Sequence, residues 1–150
     1  MFSMLLAALV TISSPATPAP QFLAKISVQA PRAKLTLQVA RTEEQRERGL
    51  MSVTKLVPRT GMVFVFDTDG PVEFWMKDTL VPLDMVFVSA DGTVRSVASR
   101  VPIVPLDTPD DKIPRRKGNA KFVIELAAGE AAKDGISPGA TLLGVTAEAH

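Results

Sequence analysis

Short apolar runs, most of them followed within a few residues by Pro, Gly or Asp, are the feature that most constrains the fold. Residues 34–40 alternate apolar and polar side chains, which is the period of a half-buried strand. Residues 61–66 are apolar throughout, as expected of a strand buried on both faces. Further runs of this kind are found at residues 72–77, 83–88, 93–99, 121–126 and 141–145. Six or seven short strands predict a mainly β single domain, either a compact β-barrel or a sandwich-like fold.

Two short segments have helical rather than strand signals, which makes the fold α+β with small helices. Thr42 stands at a candidate N-cap with Gln45 three residues later, and Gly49 occupies the position of a left-handed C-terminal residue. Residues 129–135 are long enough for one or two further helical turns. Both helices are therefore expected to be accessories to the strands.

The length of 150 residues favours one domain. We expect a signal peptide or apolar leader at residues 1–20, a linker or first edge strand at 21–33, the single β-rich domain at 34–146, and a tail at 147–150. Residues 100–119 contain four prolines and no periodicity, so they predict a long loop that is either functional or disordered.

The first twenty residues contain no charged side chain, and their apolar part, residues 2–12, is too short to span a bilayer as a helix. Ser14 and Ala16 supply the small residues at alternating positions that precede signal-peptide cleavage. We therefore expect export to the periplasm or the extracellular space, with no transmembrane helix in the mature form. A disordered apolar leader is the alternative interpretation.

Composition removes several classes of chemistry. The chain has no cysteine, and its one histidine is the terminal His150, so thiolate catalysis, disulfides, and histidine-based triads or metal sites are disfavoured. A net charge of +1 gives no field that would recruit nucleic acid. The acidic turn at residues 67–70 has the wrong register for a calcium loop, and the methionines are better explained as core filling. We expect no metal and no cofactor.

Several separate blocks carry a resemblance to a known family. They are Arg46-x-x-Gly49-Leu50-Met51, Gly61-Met62-x-Phe64-x-Phe66, Phe74-Trp75-Met76-Lys77-Asp78-Thr79, Pro82-Leu83-Asp84, and Phe122-Val123-Ile124-Glu125-Leu126-x-x-Gly129 with Gly135-Ile136-x-x-Gly139. In this order and spacing they resemble the family called domain of unknown function 192, over about residues 35–145. The resemblance implies a compact, often exported bacterial β-rich domain of no established activity. This chain departs from the family pattern at Asp78, Arg115 and Ala140, where the family usually has Asn, Ser and Asp.

The candidate site is the segment around the single tryptophan. Alternation places Trp75 and Lys77 on the face opposite the aliphatic residues of their strand, beside Asp78, Thr79 and Asp84. In a structural interpretation, Lys77 pairs with Asp78 or Asp84, and the Asp78 or Thr79 side chain bonds turn backbone groups. In a functional interpretation, Trp75 offers a stacking face, Lys77 binds an oxygen, and the carboxylates accept hydrogen bonds.

Three classes of function remain open. The first is an extracytoplasmic binding module for a small polar ligand or a glycan or cell-wall fragment, with the Pro-rich loop as a lid. The second is a hydrolase that uses paired carboxylates, Asp78 or Asp84 with Glu125. The third is a structural or protein-partner role in the cell envelope, which requires an exposed apolar patch. The binding module is the interpretation that we favour.

Overall fold

The computed structural model describes residues 18–149. The strands are β1 (Lys25–Gln29), β2 (Lys34–Ala40), β3 (Thr60–Phe74), β4 (Leu83–Val88), β5 (Val94–Val101) and β6 (Arg116–Ala127). The helices are α1 (Glu43–Arg48) and α2 (Glu130–Lys133), with single 3₁₀ turns at Asp110–Lys112 and Thr146–Ala149. Residues 1–17 of the predicted leader, and His150, lie outside the described residues.

All six strands form one sheet in the order β1-β2-β3-β6-β4-β5. The neighbours are antiparallel except β2 and β3, which are parallel and therefore need a crossover between them. Helix α1 lies in that crossover. The sheet does not close, so the prediction of a mainly β single domain is confirmed in its sandwich-like form and not as a barrel.

Helix α1 begins and ends where its sequence predicts. The Thr42 hydroxyl accepts a hydrogen bond from the Gln45 amide, while the Gln45 side chain accepts one from the Thr42 amide. This capping box satisfies two amides that the first turn leaves free. Gly49 follows with a φ of 44°, and its amide donates to the Gln45 carbonyl. The helix is therefore fixed by local bonds and presents Arg46 and Arg48 in its last turn.

Both faces of the sheet are buried, and each carries its own hydrophobic cluster. Residues of β6 alternate between them: Phe122, Ile124 and Leu126 belong to one cluster, and Val123 belongs to the other. The second cluster also contains Met62 and Phe64 of β3, Phe74, Met85 and Phe87. This two-sided burial confirms the predicted buried strand for residues 61–65, whereas Phe66 is half-buried.

Two elements differ from their sequence predictions. The expected turn at residues 67–71 is part of β3, where the pairing with β6 changes register between Val65 and Gly70. A bulge therefore absorbs the turn residues and joins two predicted strands into one. The expected strand at residues 141–145 is reduced to two isolated bridges, Thr141 with Thr93 and Leu143 with Gln29. Residues 141–143 cross from the β5 edge of the sheet to the β1 edge. Each edge therefore pairs with only one residue of this segment.

A close backbone approach in β3 provides a test of this packing. A Cβ atom at Gly61 would lie 2.0 Å from the Glu125 carbonyl oxygen, whereas one at Gly70 would have no atom within 4 Å. We expect Gly61→Ala to lower the free energy of unfolding by about 3 kcal/mol, because backbone cannot move aside as a flexible side chain can. Urea denaturation measures the change, with Gly70→Ala as the matched control. Equal effects of the two substitutions would contradict this account of the β3–β6 contact.

Candidate functional site

The turn after β3 places the predicted site residues. The Thr79 amide donates to the Met76 carbonyl at 3.2 Å, and its hydroxyl donates to the Lys77 carbonyl at 3.1 Å. Phe74 and Met76 are buried while Trp75 and Lys77 are only half-buried, so the predicted alternation of faces is confirmed. The turn therefore holds Trp75 and Lys77 away from the apolar cluster.

Glu125 lies near the end of β6, on the face that it shares with Met62 and Met85, its register partners in β3 and β4. The residue is 4% exposed. No hydrogen bond or ion pair to its carboxyl is found within residues 18–149. Burial raises the pKa of Glu125 to about 8, because the charged form has lost its water. The carboxyl is therefore mostly protonated at neutral pH and can donate a hydrogen bond.

These parts meet in one shallow cleft that is open to solvent and whose enclosed space is about 30 Å³, room for about two water molecules. Helix α1 and the residues after it form one wall, and the turn after β3 forms another, with Glu125 between them. The lining residues are Arg46, Glu47, Arg48, Gly49, Leu50, Met51, Phe64, Phe74, Trp75, Lys77, Thr79 and Glu125. The cleft thus combines aromatic walls, three cations and a buried acid.

The three cations differ in their partners. The Arg46 guanidinium donates to the Val65 carbonyl at 3.0 Å, and also to the Arg41 carbonyl. Lys77 Nζ lies 2.8 Å from the Asp110 carboxylate. The Arg48 side chain has no hydrogen bond or ion pair with any residue of the described part of the chain. Arg48 is therefore the cleft cation available to a bound group.

The Pro-rich loop packs against the rim of this cleft. Besides the pair of Asp110 with Lys77, the Arg115 guanidinium lies 3.9 Å from the centre of the Trp75 ring, and Lys77 Nζ lies 5.2 Å from it. Arg115 also contacts Glu73 at 3.6 Å. Lys77 thus pairs with the loop, and the predicted pairing with Asp78 or Asp84 is wrong.

Asp84 does not line the cleft. It is 1% exposed, and its carboxylate accepts three backbone hydrogen bonds of 2.8–2.9 Å, from the amides of Arg100, Gly129 and Ala131. In the β4–β6 register it pairs with Leu126, one residue beyond Glu125, so the two carboxyl groups leave opposite faces of the sheet. The structure therefore does not bring together the Asp84–Glu125 pair of the hydrolase hypothesis.

Asp78 has a positive φ of 50°, which Asp tolerates better than most residues. Its carbonyl accepts a hydrogen bond from the Ser52 amide at 2.9 Å, and its side chain is not among those that line the cleft. Trp75, Lys77 and Thr79 are thus brought together, whereas Asp78 and Asp84 are not. A ligand role for the five residues stays a prediction.

The sequence patterns gave little weight to Glu125 and α1. Glu125 was considered only as the partner of another carboxylate, and Arg46 and Arg48 chiefly as charges of a solvated helix face, with ligand contact as the less favoured interpretation. The signal that could have found Glu125 is its position as the single charged residue within the apolar run 122–126. A charged side chain in a buried strand lowers the stability of the fold, because burial removes its water.

A second groove lies beside the first chain segment and is more apolar. It is bordered by Phe22, which is 91% exposed, and by Val57 at 59%. Its polar side chains Gln21 and Gln38 are already bonded to backbone groups. This groove is roomier than the cleft, with about 340 Å³ against about 30 Å³, but it offers no unpartnered buried polar group.

Within residues 18–149 no three His, Asp or Glu side chains gather as metal ligands would. No helix in the same range is both long and apolar enough to cross a membrane.

The fold and the cleft define a small β-rich single domain with a buried acid at a polar cleft. The DUF192 family, described as "Uncharacterized ACR", matches residues 24–144, so the chain belongs to this family and the predicted resemblance is confirmed. No curated protein matches the chain.

Two crystal structures share its fold. A protein from Sinorhizobium meliloti 1021, named as a candidate transcription regulator, is 34% identical with a TM-score of 0.71; the match covers 83% of this chain and 96% of that one. A protein of unknown function from Novosphingobium aromaticivorans DSM 12444 is 28% identical with a TM-score of 0.68, covering 91% and 97%. Neither supplies an established activity.

The hydrogen bonds of Asp84 predict a structural role. Asp84→Ala would leave three amides without an acceptor, that of Ala131 buried and those of Arg100 and Gly129 part-buried, and we expect it to lower the free energy of unfolding by about 3 kcal/mol. Chemical denaturation measures the loss. Asp107→Ala, at an exposed position of the loop, is the control and should change stability little. A loss no larger than that of the control would contradict the assignment.

The burial of Glu125 predicts a pH dependence of stability. The folded carboxyl keeps its proton up to about pH 8, whereas the unfolded one releases it near 4.5, so the folded state binds more protons between these values. The free energy of unfolding should therefore fall as pH rises across this window, by about 1.4 kcal/mol for each unit of the pKa difference. Denaturation of the wild type and of Glu125→Gln at about pH 5 and about pH 9 measures the effect. The same pH dependence in both proteins would refute it.

Proposed function

We propose that this chain is an extracytoplasmic binding module for a small polar ligand or glycan fragment, which it holds in the cleft between α1 and the turn after β3. The observation that carries the proposal is Glu125, a buried carboxyl that lines the cleft and has no hydrogen-bond partner within residues 18–149. The one fully buried side-chain oxygen without a partner in residues 18–149 is Asp134 Oδ2, so the Glu125 oxygens are not sealed in the core and reach the open space of the cleft. A ligand in the cleft can therefore accept the Glu125 proton.

The walls of the cleft support the binding of a small polar group. Its enclosed space of about 30 Å³ holds about two water molecules, so a ligand would insert only one polar group, such as a hydroxyl or a carboxylate, and rest on the rim with the remainder. Phe64, Phe74 and Trp75 supply apolar wall, and Thr79 and Arg48 supply polar contacts. Aromatic surface with a few converging polar groups is the usual composition of such sites.

The blocks that define the family also support this location. The blocks at residues 46–51, 61–66, 74–79 and 122–129 are far apart in the sequence, yet each contributes lining residues to the cleft. The block at residues 82–84 instead supplies Asp84, which holds the start of α2. A shared cleft explains why blocks of such different composition occur together.

Export and a lid are parts of the same proposal. The uncharged apolar segment at residues 1–20 supports export, and a periplasmic or extracellular module would meet cell-wall fragments and free sugars. The loop that contains Asp110 and Arg115 would act as a lid, because its contacts with Lys77 and Trp75 border the cleft. The Asp110–Lys77 ion pair is partly exposed, so breaking it to open the loop costs little.

A ligand screen tests the proposal. The purified protein is tested by thermal shift against neutral sugars, sugar acids, amino acids and cell-wall fragments, together with the variant Glu125→Leu. A ligand at about a hundred times its dissociation constant should add about 2.7 kcal/mol of stability and raise the Tm by several degrees. The shift should be absent in Glu125→Leu, although the variant itself should unfold at a similar or higher temperature, because it removes an unpaired buried acid.

Two results would contradict the proposal. One is the absence of any shift across the panel, which would favour the envelope-partner role. The other is an equal shift in the wild type and in Glu125→Leu, which would place the binding site outside the cleft.

A further inference from the structure

The charges around the cleft are unbalanced in favour of cations. Arg46 and Arg48 of α1 and Lys77 of the turn face the cleft, and Glu47 is the only carboxylate among its lining residues that is not buried. Glu125 itself is neutral while it keeps its proton. Its neighbours from β3 and β4 are the uncharged Met62 and Met85. The cleft therefore attracts an anion more than a neutral or cationic group.

Two of the three cations are already engaged, and Arg48 is not. Arg46 donates to backbone carbonyls, and Lys77 pairs with Asp110 at 2.8 Å. Within residues 18–149, Arg48 has neither an acceptor nor an ion-pair partner, and its side chain is half-buried at the cleft. The Arg48 guanidinium and the Glu125 carboxyl line the same cleft, so both can supply hydrogen-bond donors to one group bound there.

We propose that the ligand of this cleft carries a carboxylate, which is bound jointly by the Arg48 guanidinium and the Glu125 carboxyl. The inference rests on the proposed binding function and specifies its ligand class. One oxygen of the ligand carboxylate accepts from the guanidinium, and the other accepts the O–H of Glu125. No covalent step is involved, and the Glu125 proton stays between the two carboxyl groups.

The chemistry of the two donors favours a carboxylate over a phosphate. A carboxylic acid and a carboxylate can share one proton in a short, charge-assisted hydrogen bond. The single guanidinium then balances the single ligand charge. A phosphate dianion would bring a second charge into a site with no second free cation. Only the protonated form of Glu125 can donate a hydrogen bond to a ligand carboxylate. The binding of carboxylates therefore also explains why a buried acid is tolerated at this position.

Matched ligand pairs test the ligand class. Isothermal titration calorimetry compares N-acetylmuramate with N-acetylglucosamine, and galacturonate with galactose, so that within each pair the acidic sugar adds a carboxylate to a closely related ring. Inorganic phosphate is the comparison anion. We expect the acidic member of at least one pair to bind at about pH 6.5 and its neutral partner to bind at least tenfold more weakly.

The dependence on pH and on two variants tests the mode of binding. Raising the pH from about 6.5 to about 9.5 ionises Glu125, so the wild-type affinity for the carboxylate should fall about 30-fold. Glu125→Gln keeps a donor that cannot ionise, and its affinity should not fall in this way. Arg48→Ala should weaken binding by at least tenfold at both pH values. Arg32→Ala, in the β1–β2 turn and outside the cleft, is the matched control and should bind as the wild type does.

Each contrary result overturns the inference in a distinguishable way. If a neutral ligand raises the Tm of the wild type but not of Glu125→Leu, the binding function stands and the carboxylate assignment is wrong. Stronger binding of phosphate than of any carboxylate, or no binding of any carboxylate probe, also overturns it. A carboxylate affinity that falls equally with pH in the wild type and Glu125→Gln would remove Glu125 from the recognition.

Discussion

Strand β6 is hydrogen-bonded on both sides, to β3 and to β4, and residues 122–126 in its second half are buried on both faces. The rest of the structure depends on this constraint. Every side chain in this stretch must be apolar or must carry the cost of burial, and Phe122 to Ile124 meet that demand. Glu125 does not, and its pKa is raised to about 8 as a consequence. The strand that organises the core therefore also holds the most perturbed acid of the described residues.

The parallel pairing of β2 with β3 has a second consequence. Parallel neighbours require a crossover, and the crossover contains α1, fixed by its capping box and by Gly49. The last turn of α1 thereby comes to lie over the same sheet face as Glu125. Burial of the acid and placement of Arg48 are thus separate results of the topology, and the cleft arises where they meet. A proton on Glu125 lets the two groups serve one anion.

The elements set by local sequence were predictable, and those set by long-range pairing were not. Thr42 with Gln45 and the alternation through Trp75 depend on neighbouring residues, so helix α1 and the two faces of that segment followed from the sequence. The bulge that draws residues 67–71 into β3 depends on pairing with a strand about fifty residues away. A turn composition alone cannot reveal such a partner.

The candidate site was predicted in part for the same reason. Trp75, Lys77 and Thr79 were identified from a local pattern, and the structure places all three at the cleft. Asp84 has the same local appearance, but its carboxylate points to the opposite face from Glu125 and binds backbone amides. The register of β4 against β6 determines the face of the sheet from which the Asp84 carboxylate projects. A shift of one residue would move it to the face of Glu125.

The most direct test of the account is the titration of Glu125 itself, followed by nuclear magnetic resonance of its side-chain carboxyl carbon in the purified protein. The account predicts a midpoint near pH 8, and a higher midpoint when a carboxylate ligand is bound, because binding requires the proton. A midpoint near the ordinary value of 4.5 would contradict it. Glu125 would then be ionised at neutral pH, and it could not donate the hydrogen bond on which the proposed site depends.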